Sequence, residues 1–356
     1  MHARLVAVLC ALSTGALPAL AQTSGSQAQP VTVGGLVYGQ YQYNLQDSIG
    51  AAGLNTGKQN YFSIKRAYVN VIGRFSGGLY TRVTADIAPA GTGNQVYRLK
   101  YAYAAWTPNN SSLTYKFGLL HTPWLDWEEA LWDYRMQGTM PIERAGYATS
   151  SDFGAGIDGH WNSEQVNAQL TVVNGEGYSG GTGDKGKDVQ LRVSVRLMKT
   201  DDASRVGGLR LSGYAGIGKR TGGGDRNRFI GLISYKSKQF TVGGEYVSTK
   251  DTISPVNADS LNLAGGPNAT GTILAAYGVL HFSNSPVAVI GRVDVTDPNT
   301  STSPNKQTRG IGGLSYQLNP NLRMLADVDL LSFEATPTHA TNSTRQQALI
   351  QMQITF

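Results

Sequence analysis

The stretch "VQLRVSVRL", residues 189–197, decides the fold. Val189, Leu191, Val193, Val195 and Leu197 alternate strictly with Gln190, Arg192, Ser194 and Arg196. A period of two puts successive side chains on opposite faces of an extended strand. A helix would return its apolar residues at intervals of three and four instead. One face of this strand is unbroken aliphatic and the other carries two arginines, so the apolar side rests on something dry while the polar side is wet.

The same alternation recurs outward in both directions. "RAYVNVIGR" (66–74) sets Ala67, Val69 and Val71 against Arg66, Tyr68 and Asn70, and "LYTRVTADIA" (79–88) sets Leu79, Val83, Ala85 and Ile87 against Tyr80, Arg82, Thr84 and Asp86. Similar segments begin near Val31, Val96, Leu113, Ser151, Val166, Leu209, Arg228, Phe240, Thr272, Val287, Arg309, Leu322 and Arg345, which brings the strands to sixteen. Short turns such as "FSGG" (75–78), "TPNNSS" (107–112), "NSEQ" (162–165), "YKSKQ" (235–239) and "LNPN" (318–321) are interleaved with long loops over 44–60, 121–150, 174–188, 250–270, 297–307 and 335–344. Short turns at one rim and long loops at the other predict an all-β chain: a transmembrane, antiparallel, up-and-down barrel over residues 31–356. Sixteen strands enclose a water-filled lumen rather than a packed interior. Arg192 and Arg196 must line it, because each would cost roughly 2–4 kcal/mol if turned to lipid near the midplane.

The ends of the chain and its composition agree. "MHARLVAVLCALSTGALPALAQ" has a basic Arg4, an apolar stretch and a small-residue site before Gln22, so residues 1–21 are expected to be a cleaved signal peptide and 22–30 a flexible lead. The one cysteine, Cys10, leaves with that peptide, and no disulfide or thiol chemistry remains. Beyond Ala21 no apolar run reaches the ~18 residues of a membrane helix. With 44 Gly, 18 Tyr and 15% charged residues, the composition suits tight turns and aromatics at a boundary between water and lipid. The net charge of +6 favours an anionic environment without naming it, while the scattered basic residues of an exported chain argue against nucleic acid; outer-membrane lipid and lipopolysaccharide are the surroundings expected of the barrel. The final "LIQMQITF" (349–356) ends on Phe356, expected in the interfacial aromatic girdle. It resembles the terminal signal read by the outer-membrane assembly machinery.

Further segments carry a family resemblance. "YFSIKRAYVNVIGRF" (61–75), "YRLKYAYAAW" (97–106), "LTYKFGLLHTPW" (113–124) with "WEEALWDYRMQGTMPIERAG" (127–146), "VVNGEG" (172–177) and "GGLSYQLNPNLRMLADV" (312–328) together resemble the phosphate-selective porin O/P family. The resemblance implies a homotrimer of 16-stranded barrels, a third loop folded inward, and passive diffusion of small hydrophilic solutes, phosphate and other anions among them; with the loop's acids opposing the basic wall, the expected preference for anions is modest. It assigns Lys65, Arg66 and Arg144 to the constriction. Leu36 stands where a basic residue is expected, and Glu129 where the family's loop can carry Lys.

Residue by residue, Arg82, Lys100 and Lys116 extend the basic wall if they face inward. Neighbours on a strand face opposite ways, which makes Arg66 lumenal and leaves Lys65 at the rim. Residues 121–150 hold Trp124, Trp127, Trp132, Tyr134 and Met136, too apolar for a loop in water, and "WEEALWDYRM" reads as a short helix. Asp126, Glu128, Glu129, Asp133 and Glu143 against Arg135 and Arg144 give this loop a charge of about −3, an acidic face opposing the basic wall. Outward glycines at 35, 39, 312 and 313 offer flat surfaces for barrel packing. An enzyme is the rival class, but His121, His160, His281 and His339 are dispersed and no Gly-x-Ser-x-Gly or His-Glu-x-x-His motif occurs. No cofactor or metal is expected. The loop "NGEGYSGGTGDKG" (174–186) lacks calcium-loop spacing.

Overall fold

The computed structural model describes residues 31–47, 58–89, 94–180, 185–219, 224–251, 269–334 and 343–356. The expected signal peptide, the lead, His339 and the tips of several long loops lie outside the described residues. Sixteen strands follow one another: β1 (Val31–Asp47), β2 (Asn60–Arg74), β3 (Leu79–Pro89), β4 (Gln95–Trp106), β5 (Leu113–His121), β6 (Ser151–Trp161), β7 (Val166–Val173) and β8 (Asp188–Met198), then β9 (Gly208–Ile217), β10 (Arg226–Lys236), β11 (Phe240–Asp251), β12 (Ala269–His281), β13 (Val287–Asp297), β14 (Gln307–Asn319), β15 (Leu322–Phe333) and β16 (Ser343–Thr355). Each pairs antiparallel with its sequence neighbours, and β1 closes on β16 with Leu36 opposite Thr355 and Gln40 opposite Gln351. The barrel is therefore closed, with no free sheet edge.

Burial is inverted relative to a protein folded in water. On β8 the polar residues Gln190, Arg192, Ser194 and Arg196 are buried, whereas Val189, Leu191, Val193, Val195 and Leu197 are exposed. The same holds around the wall, giving a continuous outer band of Val, Leu, Ile and Phe. Such a band is stable only against hydrocarbon. Exposed aromatics gather toward its edges, with Phe75, Trp106, Trp161, Phe240, Phe282 and Tyr316 near the short turns.

Phe356 belongs to that edge. Its backbone exchanges hydrogen bonds with Gly35 (2.7 and 3.1 Å), and its ring lies over Gly35 so closely that an added Cβ would sit 2.1 Å from Cζ. The outward surface expected at the four glycines is thus only partly there. Gly312 opens onto empty space and Gly39 meets Met352, but Gly35 is covered and Gly313 faces Asp327 and Leu325.

The longest described connection, between β5 and β6, carries helix α1 (Leu125–Trp132) and the single turn α2 (Pro141–Arg144). The helix ends at Trp132, four residues earlier than the sequence suggests, because Asp133 with its left-handed φ of 57° turns the chain. Trp124, Leu125, Trp127, Leu131, Trp132, Met140 and Ile142 are at most 1% exposed. They form one apolar cluster with Tyr214, Ile230, Leu232, Val247, Ile273, Tyr277, Val279 and Ile290, which lie on the same face of β9–β13 as the buried polar residues. Burying a large side chain of this kind contributes about 1.5–3 kcal/mol, which explains why the segment does not extend into water.

Candidate functional site

Two β-bulges determine which cations share a face. Along β1 and β2, Tyr38 opposes Arg66 and the next residue, Gly39, opposes Ile64, so Lys65 is the extra residue. Along β3 and β4, Thr84 opposes Tyr101 and Ala85 opposes Leu99, so Lys100 is extra. A bulge lets two consecutive side chains point to one side. Lys65 therefore lines the same cavity as Arg66, which revises the alternation argument that placed it at the rim. Lys100 is buried beside Tyr101, its Nζ 5.1, 5.7 and 5.5 Å from the ring centres of Tyr68, Tyr101 and Tyr178.

Around these lysines the wall is organised by shared carboxylates and hydroxyls. Arg66 donates to the Tyr68 hydroxyl and lies 3.9 Å from Asp86, which also accepts from Arg98 Nε at 3.0 Å. Arg82 donates to Thr84 (2.9 Å) and Asn70 (2.8 Å) and covers the Tyr101 ring at 4.7 Å.

Between this wall and residues 135–144 lies a cavity of about 390 Å³. Lys65, Arg66, Arg135, Arg144, Arg309 and Arg345 line it, with Asp329 as the carboxylate. Arg135 bridges Glu129 (2.7 Å) and Glu143 (3.0 Å). Burial opposes charge on Glu143, yet Arg135, then Lys100 and Arg66, hold its carboxyl below the ordinary range. Arg144 approaches Asp294 at 3.5 Å, and its Nη1 makes no hydrogen bond. Gly138 (φ 156°) lets the chain pass over Arg144, since a Cβ there would lie 2.5 Å from Nη2. Arg309 pairs with Asp329. Counting Arg98, Arg292 and Lys100 beside the six lining cations gives nine positive groups against Asp86, Glu129, Glu143, Asp294 and Asp329, a net charge of +4.

The other candidate residues lie elsewhere or are occupied. Lys116 pairs with Asp158. Arg192 is buried and donates to Pro123 O at 3.1 Å, and Arg196 donates to Ser163 O, so both inner-face arginines hold backbone. The acids of the 122–150 segment are likewise committed: Asp126 to Arg205 at 2.8 Å, Asp133 to Arg323 at 3.2 Å, Glu129 to Arg135. Arg205, and then His121, holds Asp126 below the ordinary carboxyl range although burial opposes it. Glu128 is fully buried against β11 and faces no water. Trp127, also fully buried, sits among Arg192, Arg210 and Arg205, whose guanidinium carbons are 4.1, 5.4 and 5.6 Å from its ring. Each such contact stabilises by about 0.5–2 kcal/mol. Arg98, Arg309 and Arg345 were missed by sequence reasoning. Arg309 and Arg98 could have been found by extending the inner-face parity of β14 and β4.

No family model matches the sequence, and no curated relative does. Solved structures do. An anion-selective porin from Comamonas acidovorans superposes with a TM-score of 0.64 at 12% identity, covering 92% of this chain and 99% of that one. The outer membrane channel DcaP of Acinetobacter baumannii gives 0.63 at 13% identity, with 92% and 97% covered. The trimer form of in-vitro folded OmpT, an outer membrane protein of Vibrio cholerae, gives 0.60 at 12%, with 93% and 100% covered. At these identities the likeness establishes a shared architecture: the chain has the 16-stranded barrel fold of porins.

Proposed function

We propose that the chain is a channel of a Gram-negative outer membrane, through which small hydrophilic solutes diffuse passively with a preference for anions. The observation that carries this reading is the basic cavity, lined by six cations on β2, β14, β16 and residues 135–144, which with the cations and acids around them sum to a local charge of +4. A field of one sign in a narrow, low-dielectric passage raises the local concentration of counter-ions. In this reading residues 121–150 fold inward and narrow the channel, with their acids paired and the basic wall left to set selectivity. Inorganic phosphate is one candidate permeant among several anions. The protein is not an enzyme: it works without catalytic residues or a cofactor. It is exported with cleavage of residues 1–21, assembled by the outer-membrane machinery through Phe356, and trimeric among lipid and lipopolysaccharide. The trimeric neighbour and the open outer surface at Gly312 support the last point. Reversal potentials of the purified protein in planar bilayers under a salt gradient test the proposal. An anion-side potential is expected, and cation selectivity would reject it.

A further inference from the structure

Helix α1 is fastened to β11 by two acids. Glu128 is fully buried, Glu245 is 2% exposed, and the two carboxyl groups are neighbours where α1 meets β11. Trp124 Nε1 donates to Glu128 Oε2 at 3.0 Å. Glu128 Oε1 and both carboxyl oxygens of Glu245 have no partner from any other group. Buried oxygens left this way are costly, and two adjacent carboxylates repel. The contact is favourable only when at least one carboxyl keeps its proton and donates O–H to the other.

The groups around the pair offer no alternative. On β13, Arg292 donates to both oxygens of Asp294 (Nε at 2.8 Å, Nη2 at 2.7 Å) and through Nη1 to Thr139 O (3.0 Å), so its nitrogens are engaged away from the pair. Asp294 adds a like charge. On β12 the Tyr277 hydroxyl faces the pair without a hydrogen bond, and Ala275 stands opposite Glu245. On β10, Leu232 stands opposite Glu245. A second negative charge would be buried beside Asp294 with Trp124 as its one hydrogen-bond donor among the described residues.

We infer that Glu128 and Glu245 form a proton-dependent latch: protonated, they dock α1 against the wall, and deprotonated, they release it into the channel. The release rests on the geometry alone, while its effect on conduction rests on the channel reading above. Burial first, and then Glu245, push the Glu128 carboxyl well above the ordinary range. A carboxyl that binds its proton more tightly when docked gives full docking below its ordinary pKa, near 4.5. Docking weakens as pH rises from there toward the raised value, by about tenfold in the docked-to-undocked ratio per pH unit for each proton lost. The other end of α1 does not share this sense, because the depressed Asp126 stays ionised and paired with Arg205 throughout.

Two readouts test the latch. In the full-length protein with the rim tryptophans replaced (W106F, W161F), Trp124, Trp127 and Trp132 report α1, and acrylamide quenching of their emission should rise several-fold between pH 5 and pH 9. The E128Q/E245Q variant keeps an amide donor between the two groups and cannot ionise, and it should show quenching that is flat with pH. In planar bilayers the voltage that closes the channel should fall as pH rises, and should not change in the variant. Quenching that does not change with pH in the parent, or that changes equally in the variant, overturns the latch. Because quenching needs no conduction, a protein that quenches as expected but conducts nothing would reject the channel reading and leave the latch standing.

Discussion

Replacing Lys65, Arg66 and Arg345 by Gln lowers the charge around the cavity from +4 to +1, and Coulomb's law gives the size of the effect. A permeant ion about 8 Å from each unit charge, in water, gains or loses roughly 0.5 kcal/mol per charge, so four charges amount to about 2 kcal/mol. Screening reduces this to about 1.6 kcal/mol at 0.01 M salt, about 0.8 at 0.15 M and about 0.1 at 1 M, where the Debye lengths are about 30, 8 and 3 Å. An anion gains this energy and a cation loses it, so the two differ by twice as much. With a factor of ten for each 1.4 kcal/mol, the expected preference for anions is about two hundredfold at 0.01 M, about tenfold at 0.15 M and under about twofold at 1 M. With +1 remaining, it should fall to about fourfold at 0.01 M and about twofold at 0.15 M.

Reversal potentials with potassium chloride gradients at the three concentrations read these ratios directly, in a protein whose single-channel conductance shows that the pore is intact. Two results would refute the reasoning. A selectivity that persists at 1 M would mean that a desolvated binding site, not a screened field, chooses the ion. A triple variant with unaltered selectivity would mean that the current does not pass the basic cavity.

Four other outcomes are expected. Exchanging Val193 for Arg places a charge on the lipid side and should cost about 2–4 kcal/mol, seen as unfolding in SDS at lower temperature. Deleting Phe356, or substituting Gly35 by Val so that the ring is displaced, should reduce assembly in the membrane while barrels refolded in vitro still conduct; normal assembly of both would remove Phe356 from its role. Trp127→Ala should destabilise docking of the 122–150 segment by about 3–5 kcal/mol, measured as faster proteolysis between strands β5 and β6. Arg205→Ala should loosen the same segment at neutral pH, again read as faster proteolysis between β5 and β6, because Asp126, which Arg205 and then His121 hold below the ordinary carboxyl range against burial, would lose its main partner.

The barrel was legible because its signal is local and repeated. Each strand announces its own faces, as "VQLRVSVRL" does, and the inverted burial of Arg192 and Val193 follows from parity alone. The apolar content of residues 121–150 likewise foretold that Trp124, Trp127 and Trp132 would be buried. Partners could not be read this way. Asp126 finds Arg205, and Glu128 finds Glu245, across contacts that depend on how the segment lies against the far wall, and nothing in the order of residues encodes that geometry.

The bulges show most clearly where parity fails. In "SIKRAY" and "RLKYAY" alternation sends Lys65 outward, and it would turn Trp106 toward the lumen if continued from Lys100. Placing a lysine in lipid is costly, and so is burying a large indole where water belongs, so each strand meets a conflict between its basic half and its aromatic half. One inserted residue resolves it, because Lys65 and Arg66, like Lys100 and Tyr101, then share the inner face while Phe62 and Trp106 face outward. The conflict itself is visible in the sequence. Two adjacent lumen-type residues followed by a change of phase in the apolar pattern mark a bulge, and here both marked positions are lysines beside the basic cavity or its ring of tyrosines. The step that keeps apolar residues in lipid is therefore the same step that concentrates positive charge inside, and because deleting Lys65 or Lys100 would leave Ile64 and Arg66, or Leu99 and Tyr101, in regular alternation, such a deletion should cost selectivity rather than stability.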